Sequence, residues 1–488
     1  MKPSFATFGP RGHSAFLGLL AVAVVIHLPI FGDALNPDAT TYLAVSDSLV
    51  RRGSLHIETT LVPQHPPLVP LLLIPFELAF GFNEFAVHVF EMTSLVILLI
   101  LLYVLSRELG PALSLVPSTL LALDPVLYLN MSEGRGLCLL MILGLVTLTA
   151  IWKGLTDARW LVVAAASSSL AYLAADSVGY LFVAAGIVGV LWRFRYDRWQ
   201  VFLNRWYLMA MSLFASVVLA WTVYNLASSG TPYTDPRVVG YLGRLVFSTP
   251  LHVQITTIGG LGLYFMIYLG QTSLPFVLHP DGRSILSSLP RRSINDQRIG
   301  AMVLFAALTI AISAILAAAF ILYEPLRNLG LAYTYLRYAA VAAPIAYLGF
   351  GKVARAIPKS RKGWLAPLAV ALAILLVQFV PQAISRDQSR DWFSMLQRDL
   401  LARNLTIVYS DFAIYLRYNI VGIIFLSVDK GYATRTVNIT AQDVPLGASL
   451  LTFIYAPATY DERIEGLYLI YHFDPRVHSP CVNLYYRE

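Results

Sequence analysis

Up to residue 381 the chain is a succession of apolar runs separated by short polar stretches. Eleven runs read as candidate membrane spans: 14–31, 85–103, 112–129, 137–152, 161–174, 178–192, 207–226, 258–278, 301–322, 335–350 and 365–380. A bilayer core takes roughly 20 apolar residues per helix, and several runs are shorter, so their ends are soft. A further apolar stretch, 68–80, is cut by Pro70 and Pro75 and reads as an interfacial helix. After Pro381 short β-rich runs take over, at 405–409, 420–428, 434–440, 450–455, 467–473 and 482–486, with helix-compatible pieces at 391–403 and 412–418. The predicted fold is an all-α polytopic membrane protein of about 11 transmembrane helices with a small C-terminal extracytoplasmic α/β domain. The membrane domain is residues 1–381, its first outer loop 32–84 carries interfacial helices, and the soluble domain is 382–488.

Composition sharpens this picture. The 488 residues are 57% hydrophobic and 13% charged, with a mean hydropathy of +0.66, where soluble domains carry about 25% charged residues. A soluble globular enzyme is excluded. Two cysteines, one of them Cys138 inside an apolar run, argue against a disulfide scaffold.

The net charge of +7 divides into +8 over residues 1–381 and −1 over the remainder. With a cytoplasmic N-terminus, inner loops receive 18 of the Lys and Arg residues before Pro381 and outer loops 7, the asymmetry that sets membrane orientation. The basicity is therefore topogenic and calls for no nucleic acid. An odd number of spans sends the C-terminal domain outside, so the expected localisation is a multi-pass cell-membrane protein. The first run follows Lys2 and Arg11 as in a signal peptide, but no A-x-A site follows it, and a retained anchor is expected.

This topology collects polar groups on the outer side. Asp38 follows Pro37 directly after the first span, with Tyr42 one helical turn on. Glu133 and Arg135 lie between the third and fourth spans, Asp176 in the turn after the fifth, and Arg337 beside Tyr338 at the head of the tenth. Each has a plainer local reading: Asp38, Asp176 and Glu133 as helix caps, Arg135 and Arg337 as snorkelling cations. Three sequons, at Asn130, Asn404 and Asn438, also fall on the outer side.

Taken in order, D-A-T-T-Y, then H-P-P-L before the interfacial helix, F-G-F-N-E-F-A before the second span, S-E before the fourth, A-W-T-V-Y-N-L-A-S-S-G-T-P after the seventh and L-R-Y-A-A-V-A-A-P opening a late span resemble the GT-C class of membrane glycosyltransferases. The similarity is to the dolichyl-phosphate-mannose protein mannosyltransferases and the lipid A aminoarabinose transferases, over most of residues 14–350. It lies in order and shared sidedness, since no single motif is diagnostic.

The resemblance implies a GT-C-like fold and a hexosyl- or pentosyltransferase. Such an enzyme takes a sugar from a polyprenyl-phosphate carrier and transfers it, on the outer face, to a hydroxyl of a protein or lipid acceptor. It carries over Asp38 as catalytic base, Glu133 as the second acid, His65 as the basic residue before Pro-Pro that meets carrier phosphate, and Arg337 as the Arg of the late R-Y pair. The chemistry agrees: a hydroxyl needs a carboxylate to take its proton, while a phosphate leaving group needs cations rather than a general acid. A single displacement inverts the anomeric centre.

Two departures from the family stand out. Relatives often have Lys where this chain has His65, and a basic residue in the turn where it has Ala174-Ala175-Asp176. No D-x-D stands in the first loop and no W-W-D-Y-G is present, which argues against the metal-dependent oligosaccharyltransferases. The sequence points to no particular cofactor, and a divalent metal stays open. A secondary transporter or lipid flippase is the competing class, though such proteins place ionisable groups near the midplane rather than at one surface.

Overall fold

The computed structural model describes residues 10–55, 66–110, 113–154, 157–175 and 204–229 and, with short gaps, parts of 340–348, 369–380, 388–427, 442–454, 467–473 and 481–487. The candidate spans at 178–192, 258–278 and 301–322 lie outside these residues. So do most of those at 335–350 and 365–380 and the β-run at 434–440.

Among the described residues, three helices are long and apolar enough to cross a bilayer: His13–Gly32, Glu84–Ser106 and Arg205–Ser228. The chain is a polytopic helical membrane protein. Its described helices are α1 (Pro10–His27), α2 (Pro37–Arg52), α3 (Leu68–Phe80), α4 (Glu84–Ser106), α5 (Val116–Ala122), α6 (Pro125–Ser132), α7 (Leu137–Gly154), α8 (Trp160–Ala174), α9 (Arg205–Ser229), α10 (Gln388–Ala402) and α11 (Ala413–Asn419). The chain divides into two compact units.

One unit comprises residues 1–28, 91–131 and 136–384. Here α8 packs against both α7 and α9. A polar clasp joins α7 to α8, Thr147 Oγ1 donating to Ser167 Oγ at 2.7 Å, while Ser167, Ser168 and Ser169 return their hydroxyls to carbonyls one turn back. Basic and aromatic side chains meet at one end of the trio. Lys153 Nζ lies 4.1 Å from the Trp160 ring centre, and the Arg159 and Arg205 guanidiniums lie 5.7 and 5.0 Å from that of Trp206, the pairing expected at a membrane–water interface.

The run 112–129, expected as one span, is two short helices, α5 and α6. The break falls at Asp124-Pro125, because proline disfavours helical backbone at the preceding residue and has no N–H to continue the ladder. Asp124 Oδ1 caps the restart, accepting from the amides of Val126 and Leu127 at 2.9 and 3.2 Å, and its Oδ2 accepts from the Tyr347 hydroxyl at 3.0 Å. The sequon residue Asn130 sits in α6 fully buried, its amide donating to the Val126 carbonyl at 2.8 Å, a position closed to a glycan.

The second unit comprises residues 29–90, 132–135 and 385–488. It joins the segment between α1 and α4 and the four residues before Gly136 to the C-terminal region. Among the described residues its sheet has five strands, in the order β2-β1-β3-β5-β4: β1 (Ile407–Ser410), β2 (Ile424–Ser427), β3 (Ser449–Ile454), β4 (Tyr468–Phe473) and β5 (Cys481–Tyr486). β1 pairs in parallel with β2 and β3, whereas β5 is antiparallel to β3 and β4. α10 and α11 bury Phe393, Leu396, Leu400 and Leu416 with Val408, Phe425, Leu451 and Leu484 of the strands, and Ala34 of the loop between α1 and α2 joins that core.

The same loop is tied to α11 by its backbone. Leu35 N–H donates to Asn419 Oδ1 at 3.0 Å and the Asn419 amide donates back to the Leu35 carbonyl at 3.2 Å, so one side chain satisfies both main-chain groups. Further along, Ala44, Val45 and Leu49 of α2 pack with Tyr418 of α11.

Candidate active site

The site is built at the head of α2. Asn36 is the N-cap, its Oδ1 accepting from the Ala39 amide at 2.8 Å, and Pro37 fills the first helical position, where a missing N–H costs nothing. Asp38, read locally as a cap, is therefore the second residue of the helix and does not cap it. Gly53 ends α2 in the left-handed region at φ 65°, donating to the Leu49 carbonyl at 3.0 Å.

Asn36 also anchors the segment Ser132–Arg135. Its backbone N–H donates to the Glu133 carbonyl at 3.2 Å, and its side-chain amide reaches Glu133 Oε2 at 3.4 Å. Arg135 Nε hydrogen-bonds that same Oε2, while Nη1 lies 3.7 Å from Asp38 Oδ2. The Arg135 side chain is 13% exposed and those of Asp38 and Glu133 28% and 24%, so the three residues sit in a half-closed recess that solvent can reach.

Gly134 makes this approach possible. Its φ is +72°, and a Cβ there would lie 2.7 Å from Val87 Cγ1 and 3.0 Å from Ala39 Cβ, so both conformation and space demand glycine. The geometry thus joins Asp38, Glu133 and Arg135, and replaces the capping and snorkelling readings of Glu133 and Arg135 with a shared ion cluster. Tyr42 lies one turn along α2, 7% exposed. His65, Asp176, Arg337 and Tyr338 lie outside the described residues.

Sequence reasoning also missed Glu77 and its partner Ser46. Val69, Leu73 and Glu77, four apart, form the buried stripe of α3, leaving Leu71, Leu72, Leu78 and Phe80 outward. Glu77 is hydrogen-bonded with the Ser46 hydroxyl of α2. Burial raises its carboxyl to about 8, the Ser46 bond opposes this, and nearby Asp47 adds to it. A lone acid inside the apolar run 68–80 was the available signal.

Among the described residues no cluster of three His, Cys, Asp or Glu side chains suited to a metal ion is present. Chemically the cluster supplies two carboxylates able to accept a proton and one guanidinium able to meet an anion.

No family model and no curated protein matches the sequence. ArnT from Cupriavidus metallidurans, solved bound to undecaprenyl phosphate, matches with a TM-score of 0.47 and 14% identity over 98% of both chains. Its apo form matches with the same TM-score and identity over 97% of this chain and 98% of that one. The arabinofuranosyltransferase AftD from Mycobacteria matches with a TM-score of 0.47 and 12% identity over 99% of this chain and 40% of its own.

Proposed function

We propose that the protein is a glycosyltransferase that moves a sugar from a polyprenyl-phosphate carrier to a hydroxyl of a lipid or protein acceptor on the extracytoplasmic face. The observation that carries this reading is the convergence of Asp38, Glu133 and Arg135 at the head of α2. The order of motifs along the chain supports it. Asp38 is the base: its carboxylate takes the acceptor proton as the oxygen attacks the anomeric carbon, with inversion. Glu133 orients Arg135. Charge developing on the departing phosphate oxygens is met by Arg135, with His65 and Arg337 as further phosphate cations and Tyr42 and Tyr338 lining the substrate.

The test is incorporation of radiolabelled sugar from a panel of polyprenyl-phosphate donors into lipid and protein fractions of native membranes, comparing wild type with Asp38→Asn. Transfer by the wild type that drops by about 10²- to 10⁴-fold in the variant is expected for loss of a general base. Equal transfer by both removes Asp38 from the mechanism.

A further inference from the structure

The Ser46 hydroxyl has three oxygens within bonding distance: the carbonyls of Tyr42 at 3.0 Å and Leu43 at 2.9 Å, and Glu77 Oε1. A hydroxyl carries one proton. If Ser46 gives it to the backbone, as serines inside helices commonly do, the contact with Glu77 holds a proton only if the carboxyl supplies it. The other Glu77 oxygen, Oε2, is buried with no hydrogen-bond partner, and the residue is 1% exposed. An ionised carboxylate would leave a charged oxygen unsolvated there, which is far costlier than a neutral acid.

Among the described residues no cation forms an ion pair with Glu77. From α2, Asp47 stands near Glu77 and is itself paired with Arg51 at 2.5 Å. From α11, Tyr418 faces the same acids, its phenol pushed well above its usual range by burial and by Asp47, with Arg417 opposing, so it stays neutral. α4 meets α3 through rings, Phe90 against Phe76 with centroids 5.6 Å apart.

Building on the transfer reaction proposed above, we infer that Glu77 is a positioning residue for it: held as a neutral acid, it donates to Ser46 and pins α2, the helix that carries Asp38, to the interfacial helix α3. Loss of its proton leaves three acceptor oxygens facing one hydroxyl proton and puts a negative charge near that of Asp47. The α2–α3 tie then loosens. The direction of the Glu77 shift, upward to about 8, places that event on the alkaline side of neutrality. The sign for stability follows. The unfolded chain releases this proton near 4.5 and the folded one near 8, so stability falls as pH rises across that interval and is level above it.

The experiment uses the full-length protein in lipid nanodiscs and the variants Glu77→Gln, a neutral side chain with an N–H donor that cannot ionise, and Ser46→Ala. Infrared difference spectra of wild type minus Glu77→Gln should show a protonated-carboxyl stretch near neutral pH that vanishes well above pH 8. Its absence at neutral pH overturns the inference without any assay of transfer. In the transfer assay Glu77→Gln should keep near wild-type turnover and lose the alkaline decline, and Ser46→Ala should lower kcat several-fold with KM for the donor unchanged. A Glu77→Gln variant that retains the alkaline decline, or a Ser46→Ala variant with wild-type kcat, overturns the positioning role. A positive infrared result with no sugar transfer by the wild type would instead refute the proposed reaction.

Discussion

Arg135 holds Glu133 through Nε and stands 3.7 Å from Asp38 through Nη1, so one guanidinium spans both acids of the candidate site. The two contacts are unequal. Nε to Glu133 is a hydrogen bond, and Nη1 to Asp38 is an ion-pair separation. Glu133 thus orients the cation, and the cation reaches toward the proposed base.

The first prediction uses that inequality. Arg135→Lys keeps the charge but loses the planar fork that spans two carboxylates, and transfer should fall at least 10-fold, an effect of about 1.4 kcal/mol on the barrier. Glu133→Gln and Arg135→Ala should be strongly non-additive. A double-mutant cycle on transfer rates should give a coupling of about 0.5–3 kcal/mol, and additive effects would show that the pair does not act as a unit.

Gly134 supports the same cluster from its backbone. Gly134→Ala must place a methyl against Val87 and Ala39 at a positive φ, and strained backbone of this kind costs about 1–3 kcal/mol. Thermal unfolding in detergent should shift downward and transfer should drop with it. A variant with wild-type stability and rate would mean that the Ser132–Arg135 segment can relax without disturbing Glu133.

Asn36 separates capping from site chemistry. Asn36→Ala removes the cap of α2 and the link to Glu133, costing about 1 kcal/mol of stability for the cap. Asn36→Asp keeps a capping oxygen but cannot donate to Glu133 and sets a third carboxylate beside it. Stability near wild type with reduced transfer is the expected result, read by unfolding and by sugar incorporation.

What was legible in the sequence follows what short-range pattern can encode. Helices at 85–103, 137–152 and 161–174 appear where unbroken apolar runs place them, because length and hydropathy decide a span. The run 112–129 fails at Asp124-Pro125, where hydropathy averages over a local backbone veto. Asp38, Glu133 and Arg135 could be put on one side by counting loops, but Asn36 as cap and Gly134 as spacer needed the backbone conformation of two segments about a hundred residues apart. Glu77 remained hidden because its partner Ser46 lies on another helix, 31 positions away. The packing of Ala34 and Leu35 with the C-terminal sheet and α11 is likewise tertiary information, which no run of residues carries.

Orientation can be tested directly. The basic–aromatic end of α7, α8 and α9, with Lys153, Arg159 and Arg205, should be cytoplasmic, and α10 extracytoplasmic. In a background with both native cysteines replaced, a cysteine at exposed Arg159 should resist a membrane-impermeant maleimide in intact cells and react after lysis. One at exposed Met395 should react in intact cells. The reverse labelling pattern would put Asp38 on the wrong face for a lipid-linked donor delivered outside.

His65 gives the last prediction, and its pH signature differs from that of Glu77. If His65 meets the donor phosphate as imidazolium, donor affinity should weaken as pH rises through about 6.5, the ordinary value for histidine. The donor is a phosphodiester whose charge is constant over this range, so the trend belongs to the protein; a free polyprenyl phosphate, with a second ionisation near 6, would confuse it. His65→Lys should hold KM for the donor flat from about pH 5 to 8, because an ammonium stays charged throughout. The Glu77 effect appears instead in kcat and at higher pH, where the α2–α3 tie is lost. Measuring KM and kcat separately across pH therefore resolves the two residues, and a KM profile in His65→Lys identical to wild type would remove His65 from phosphate binding.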